Sequence, residues 1–317
     1  MPNNIIGHEK PLTFLEKSLQ NGHLSHAYLF VGPHGVGKTA VAEWLTKELL
    51  GAEGFDHPDA SVVARLTDEK TGKIKSEISV AQIRDLRERL SMSGFMGGRK
   101  VAFIEEADVL NTEASNALLK TLEEPTSGTV LILRASSSER VLPTIASRCQ
   151  ILRFTLVPRA RIAEALAARG VIKKESEAIA ALSSGRPGYA LRLLKDESTR
   201  ALEESTVEQF MEIISLPTSA RFAKAAGWLP KDDVNKAEQL SELLDCWEWL
   251  LRDVLLISTG AENWAARTAA YPELVKLALK KTQTHWIASL DTLREIKKDL
   301  AVHVNPNLAL EKLFLSL

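Results

Sequence analysis

The eight residues Gly32-Pro33-His34-Gly35-Val36-Gly37-Lys38-Thr39 constrain this chain more than any other stretch. Ahead of them, Ala27-Tyr28-Leu29-Phe30-Val31 is a short apolar run of the kind a buried parallel strand shows. Behind them, Thr39 to Leu50 carries a helical pattern that ends at Gly51, a residue suited to a C-cap. Strand, glycine-rich loop and helix in that order are the context a phosphate-binding loop requires. The glycines let backbone N–H groups face the β- and γ-phosphates, and the helix N-terminus adds partial positive charge at the same point. Lys38 would neutralise phosphate charge, and the Thr39 hydroxyl would ligate Mg²⁺.

Around this loop the first half of the 317-residue chain alternates strand and helix patterns, which predicts an α/β fold on a parallel sheet. Strands are expected at 27–31, 61–66, 101–104, 129–133 and 149–154. Ser79-Val80-Ala81-Gln82 reads as a capping box opening a helix with Ile83, Leu86 and Leu90 inside. Thr112 is the expected cap of a further helix, which Pro125 terminates. After Val157-Pro158 the strand signal disappears. Two or three short helical patterns follow, broken at Ser183-Ser184-Gly185-Arg186-Pro187-Gly188. From about 200 onward the pattern is helical, with Val234, Ala237, Leu240, Leu244, Trp247, Leu251 and Val254 spaced by three and four. Trp286, Leu290, Leu293, Ile296 and Leu300 mark another amphipathic helix, and Leu308 to Leu317 a last short one. Five of the six tryptophans lie beyond residue 220, as a separate packed core would require.

A second chemical signal is Val101-Ala102-Phe103-Ile104 followed by Glu105-Glu106, an apolar strand ending in acids. Next to a phosphate loop, the first acid would help hold Mg²⁺ and the second would act as general base on the attacking water. Arg148, in Ser147-Arg148-Cys149, precedes the last strand; by itself such an arginine reads either as a surface salt-bridge partner or as a finger toward a neighbouring subunit's γ-phosphate. The basic residues Arg84, Arg87, Arg89, Arg99 and Lys100 are interrupted by Asp85 and Glu88, and read as a solvated mixed-charge face rather than a DNA-binding one. His57 reads as a turn residue and Cys246 as a core residue.

The 45% hydrophobic and 26% charged fractions are those of a globular protein, and a net charge of −1 excludes overall attraction to DNA. Cys149 and Cys246 provide neither a disulfide framework nor a cysteine-rich zinc site, which points to a reducing, cytoplasmic setting. Met1-Pro2-Asn3-Asn4 lacks signal-peptide character. No apolar run reaches about 18 residues, so no membrane span is expected.

Beyond these readings, three segments carry a family resemblance. His26 to Thr39, then Asn116-Ala117-Leu118-Leu119-Lys120-Thr121-Leu122-Glu123-Glu124-Pro125, then Leu142 to Gln150 resemble bacterial DNA polymerase III clamp-loader subunits, within the AAA+ ATPases. Asn305-Pro306-Asn307-Leu308-Ala309-Leu310-Glu311 is similar to that family's collar domain. The early start at Ile5-Ile6-Gly7-His8 and the motif Gly185 to Leu191 resemble the delta-prime type rather than gamma/tau. The resemblance implies an AAA+ domain at 1–157, a small helical lid at 158–198 and an all-α collar at 199–317. It also implies a loader with gamma/tau and delta subunits, a sliding clamp and primed DNA as partners, ATP and Mg²⁺ as cofactors, and Arg148 as an arginine finger in trans.

Three departures from the family matter. The stretch 51–58 lacks the family's cysteines, so no zinc is expected. Glu105 stands where the family usually has Asp, and Gly188 where gamma-type subunits place an arginine that senses nucleotide. These favour nucleotide binding with slow or no turnover by this chain. A tailless gamma-type motor, or another DNA-processing AAA+ ATPase, is the alternative.

Overall fold

The computed structural model describes residues 5–51, 54–68, 72, 74–92, 98–225, 228, 236–265, 267–268, 271–301 and 305–317. Met1–Asn4, Ala52, Glu53 and Val234 lie outside the described residues. The chain divides into two compact units, Met1–Val171 with Gly185–Tyr189, and Ile172–Ser184 with Ala190–Leu317.

In the first unit the elements run α1 (Glu9–Gln20), β1 (Ala27–Val31), α2 (Lys38–Leu50), β2 (Ala60–Val63), α3 (Val80–Ser91), β3 (Lys100–Ile104), α4 (Thr112–Glu123), β4 (Thr129–Ala135), α5 (Pro143–Ala146), β5 (Gln150–Arg153) and α6 (Arg159–Ala167). The five strands form one sheet in the order β2-β3-β4-β1-β5, with every pairing parallel. Both faces are covered, as a parallel sheet demands. Along β1, Ala27, Leu29 and Val31 enter one core with Ile83, Leu86, Leu118 and Leu131, while Tyr28 and Phe30 enter the opposite core with Val41, Leu45, Phe103 and Ile132. That alternation is the period-two geometry of a strand buried on both sides.

Local signals explain several boundaries. Gly51 closes α2 at φ 75°, its N–H reaching the Lys47 carbonyl. The capping box at Ser79 and Gln82 opens α3. For α4 the expected cap is corrected by one residue: Asn111 accepts a 2.8 Å bond from the Ala114 N–H, and Thr112 is the first helical residue. An asparagine carboxamide caps at least as well as a threonine hydroxyl, so the stronger acceptor prevails.

The second unit contains α7 (Lys173–Leu182) and, after α8 (Pro187–Lys195) begins in the first unit, α9 (Glu197–Ser215), α10 (Thr218–Ala225), α11 (Lys236–Ser258), α12 (Glu273–Ala278), α13 (Gln283–Ala301) and α14 (Pro306–Ser316). Leu240, Leu244, Trp247, Leu251 and Val254 of α11 are fully buried against Trp286, Leu293 and Ile296 of α13. Trp247 meets Phe210, Trp228 and Phe314 at ring separations of 5.4, 6.1 and 5.7 Å, so the tryptophan enrichment is a shared aromatic core. Arg267 is fully buried. Its guanidinium bonds Glu203 at 3.0 Å and Ser184 at 3.0 Å, and its backbone N–H bonds Asp253 at 3.0 Å. Cys246 is half-buried, with its Sγ 3.7 Å from a Glu203 oxygen.

Candidate nucleotide-binding site

The loop Gly32–Thr39 leaves the C-terminal end of β1, a strand buried along its whole length, and feeds directly into α2. Gly32 passes so close to β5's exit that a Cβ there would lie 2.1 Å from the Phe154 carbonyl oxygen, which only glycine avoids. Gly37 caps α2, and no side chain caps that helix, so its first N–H groups point at a prospective phosphate. Val36 is anchored from behind: His8 Nε2 donates to the Val36 carbonyl at 2.7 Å, and the His8 ring packs 4.9 Å from Phe154. Burial holds His8 below the ordinary histidine range despite that bond.

Lys38 is buried, and its Nζ donates to the carbonyls of Gly32 and Pro33, the latter at 2.8 Å. Burial, followed by the nearby Arg134 charge, pushes its ammonium down to about 8. A phosphate arriving in the loop would offer the Nζ a stronger acceptor than these neutral carbonyls.

The strand order places β4 between β1 and β3, so the acids after β3 do not flank the loop directly as the sequence reading expects. A crossover interposes one strand, and a β4 side chain fills the gap. Arg134 NH1 donates to Thr39 Oγ1 at 2.7 Å, its Nε donates to the Glu105 backbone carbonyl, and NH2 lies 3.7 Å from Glu105 Oε2. Glu106 is paired with Arg65 through two bonds, at 2.7 and 3.2 Å. Asp108 accepts from the Ser136 N–H at 3.1 Å and from the Ser136 hydroxyl, which joins the end of β4 to the turn after β3.

Thr39 and Glu105 are the two groups offered for Mg²⁺. In this arrangement they are joined by a guanidinium, and the donor set does not fit the metal. A dication about 4 Å from that fixed positive charge would be repelled by roughly 8 kcal/mol at an effective dielectric of 20. Arg134 was missed by sequence reading. Its signal is a lone cation inside the otherwise apolar run Thr129–Ala135.

Residues Gly185–Tyr189, part of the same compact unit, border this site. The Gly188 N–H donates to the Gly35 carbonyl at 2.7 Å, and Arg186 stacks over the Tyr189 ring at 4.5 Å. Arg148 lies elsewhere. Tyr28 pairs with Gln150 and Val31 with Arg153, so Arg148 sits at the N-terminal end of the strands while the loop leaves the C-terminal end. At about 3.3 Å per residue, roughly 20 Å separate them. The Arg148 side chain is 38% exposed, held by Glu123 at 2.8 Å and the Thr144 carbonyl at 3.0 Å. Of the basic run after Arg84, Lys100 is buried and bonded to the Leu90 carbonyl at 2.8 Å, and Arg89 pairs with Asp85 at 3.1 Å. His57 stabilises its turn, its Nδ1 accepting from the Asp59 N–H at 3.1 Å.

A phosphate loop after β1, an interior strand, with acids after β3 and a β2-β3-β4-β1-β5 parallel sheet, defines a P-loop nucleotide-binding domain of the AAA+ type, a class that uses nucleotide and Mg²⁺ in general. The family described as DNA polymerase III, delta subunit, matches residues 7–158. The chain is 28% identical to the DNA polymerase III subunit delta-prime of Bacillus subtilis, over 96% of its own length and 94% of that protein's. It is 39% identical to the Pseudomonas aeruginosa delta-prime subunit, over 53% and 56% respectively. The crystal structure of a DNA polymerase III gamma subunit-related protein from Thermotoga maritima shares the fold, with a TM-score of 0.54 at 18% identity over 95% of this chain and 97% of that one. These similarities support a clamp-loader subunit of the delta-prime type. Among the described residues no helix is long and apolar enough to cross a membrane.

Proposed function

We propose that this chain works within a DNA polymerase III clamp loader beside gamma/tau and delta subunits, helping to open the sliding clamp and set it on primed DNA. In this reading Arg148 completes the ATP site of a neighbouring subunit. The observation that carries it is the position of Arg148: exposed, and too far from the chain's own phosphate loop to serve it. An arginine finger supplied in trans stabilises charge developing on the transferred phosphoryl group.

The chain's own loop, Gly32 to Thr39, is read as a nucleotide holder with little turnover. A motor of the gamma type would need the Glu106 carboxylate to orient water, and here Arg65 binds both of its oxygens. The three-part division at 157/158 and 198/199 belongs to the same proposal, with the last part as the oligomerising collar.

The test is reconstitution. The chain is mixed with gamma/tau and delta subunits, and clamp placement on primed DNA is measured with and without it. Co-assembly and a dependence of loading on this chain are expected; separate elution with unchanged loading would overturn the reading.

A further inference from the structure

We propose that the Arg134 guanidinium takes the place of the divalent cation in this site, so that the loop binds a nucleoside di- or triphosphate without metal. The inference rests on the reading that the loop binds nucleotide at all, and adds the form in which it does so. Its basis is the set of atoms Arg134 reaches. The Thr39 hydroxyl and the Glu105 carboxylate, the protein ligands a Mg²⁺ would take from the loop and from β3, converge on one guanidinium, which the Glu105 backbone carbonyl also anchors.

Three features make this a fixed cation rather than a passing contact. Arg134 projects from β4, whose neighbours on both sides are hydrogen-bonded strands, so its backbone is held by the middle of the sheet. The planar fork of a guanidinium suits phosphate oxygens. The Arg134 side chain is only 20% exposed, so water screens its charge weakly and a dication beside it is repelled. Glu105, one methylene longer than aspartate, spans the separation to the guanidinium.

The arrangement separates holding a nucleotide from breaking it. A guanidinium neutralises phosphate charge but brings no metal-bound water and no Lewis-acid polarisation of the phosphoryl group. With Glu106 bound to Arg65, neither the metal nor the base expected of a hydrolytic site is in position. The nucleotide would be a structural resident of the loop.

The experiment is a fluorescence titration of the full chain with a mant-labelled ATP, once with excess Mg²⁺ and once with EDTA. The expected result is a Kd at least as low in EDTA as in Mg²⁺, since excess Mg²⁺ draws the nucleotide into a metal complex that this site disfavours. Binding that weakens tenfold or more in EDTA overturns the proposal and leaves nucleotide binding standing. Absence of binding in both overturns the proposal and the nucleotide reading together. Arg134→Ser is expected to bind weakly in EDTA and to recover at least about tenfold on adding Mg²⁺. With Mn²⁺ in its place, that variant should enhance water-proton relaxation where the wild type does not. Metal-independent binding by a folded Arg134→Ser chain would show that the arginine is not the substitute. Should that variant fail to fold, the wild-type pair of titrations decides alone.

Discussion

Gly188 and Gly35 meet backbone to backbone: the N–H of Gly188 donates to the Gly35 carbonyl at 2.7 Å, and a Cβ on Gly188 would lie 2.8 Å from that same oxygen. The first turn of α8 is therefore seated on the phosphate loop, and the absence of a side chain is what permits it. An arginine at this position would not fit the same seat.

Gly188→Ala should pry the two backbones apart. The expected cost is about 1–3 kcal/mol, the usual range for inserting a methyl group where there is no room. Native-state hydrogen exchange on the variant should show the Gly188 amide losing protection while the amides of β1 keep theirs. Unchanged protection at Gly188 would contradict the seat.

Arg148→Ala is expected to leave the fold intact, because its partners Glu123 and Thr144 lie at the surface. Steady-state ATP turnover by the assembled loader, with clamp and primed DNA, should fall by about 10³–10⁵. A rate equal to wild type would reject the role in trans.

Arg267→Ala removes the guanidinium that bonds the buried Glu203 carboxylate and lies 3.8 Å from Asp253, while Asp253 keeps the backbone N–H of residue 267 and the ion pair with Arg252. A loss of about 3–5 kcal/mol is expected, from urea denaturation. Arg267→Met combined with Glu203→Gln should recover part of it, since a neutral, filled site avoids the uncompensated charge. Equal stability of the wild type and Arg267→Ala would mean the network contributes nothing.

His8 titrates below the ordinary histidine value because it is buried behind the loop. Between its folded and unfolded pKa values the unfolded chain binds more protons than the folded one, so stability rises with pH there. The contribution is complete above about pH 6.5 and declines as the pH falls beneath it. His8→Gln should flatten that acid limb in thermal melts taken from pH 7.5 down to 5. An identical pH profile for variant and wild type would remove His8 as its source.

Much of this architecture was legible from residue order alone. The phosphate loop, all five strands of the sheet and the capping box at Ser79 follow from local chemistry, and β1 was placed to the residue. Strand ends moved where pairing decided them: β2 stops at Val63, the last residue with a partner on β3, and β4 runs on to Ala135 because β1 pairs that far. Strand order was not legible. The apolar run predicts a strand at Thr129–Leu133, but not that it lies between β1 and β3. Arg134 was invisible as a site residue for the same reason, since only that neighbourhood aims it at Thr39 and Glu105. The Gly188 contact joins residues 153 positions apart in sequence, beyond the reach of any local pattern.

The hold on Arg148 has a kinetic consequence. Its guanidinium rests on the Glu123 carboxylate, the Thr144 carbonyl and, at 3.5 Å, the Ser147 hydroxyl, surface contacts worth about 0–1 kcal/mol in water. Such a side chain turns over its rotamers in picoseconds to nanoseconds and needs no shift of the sheet beneath it. Engagement with a partner's triphosphate would thus follow the approach of the two subunits without delay. The pace of any firing step would then be written in how subunits close on one another, and not in the arginine.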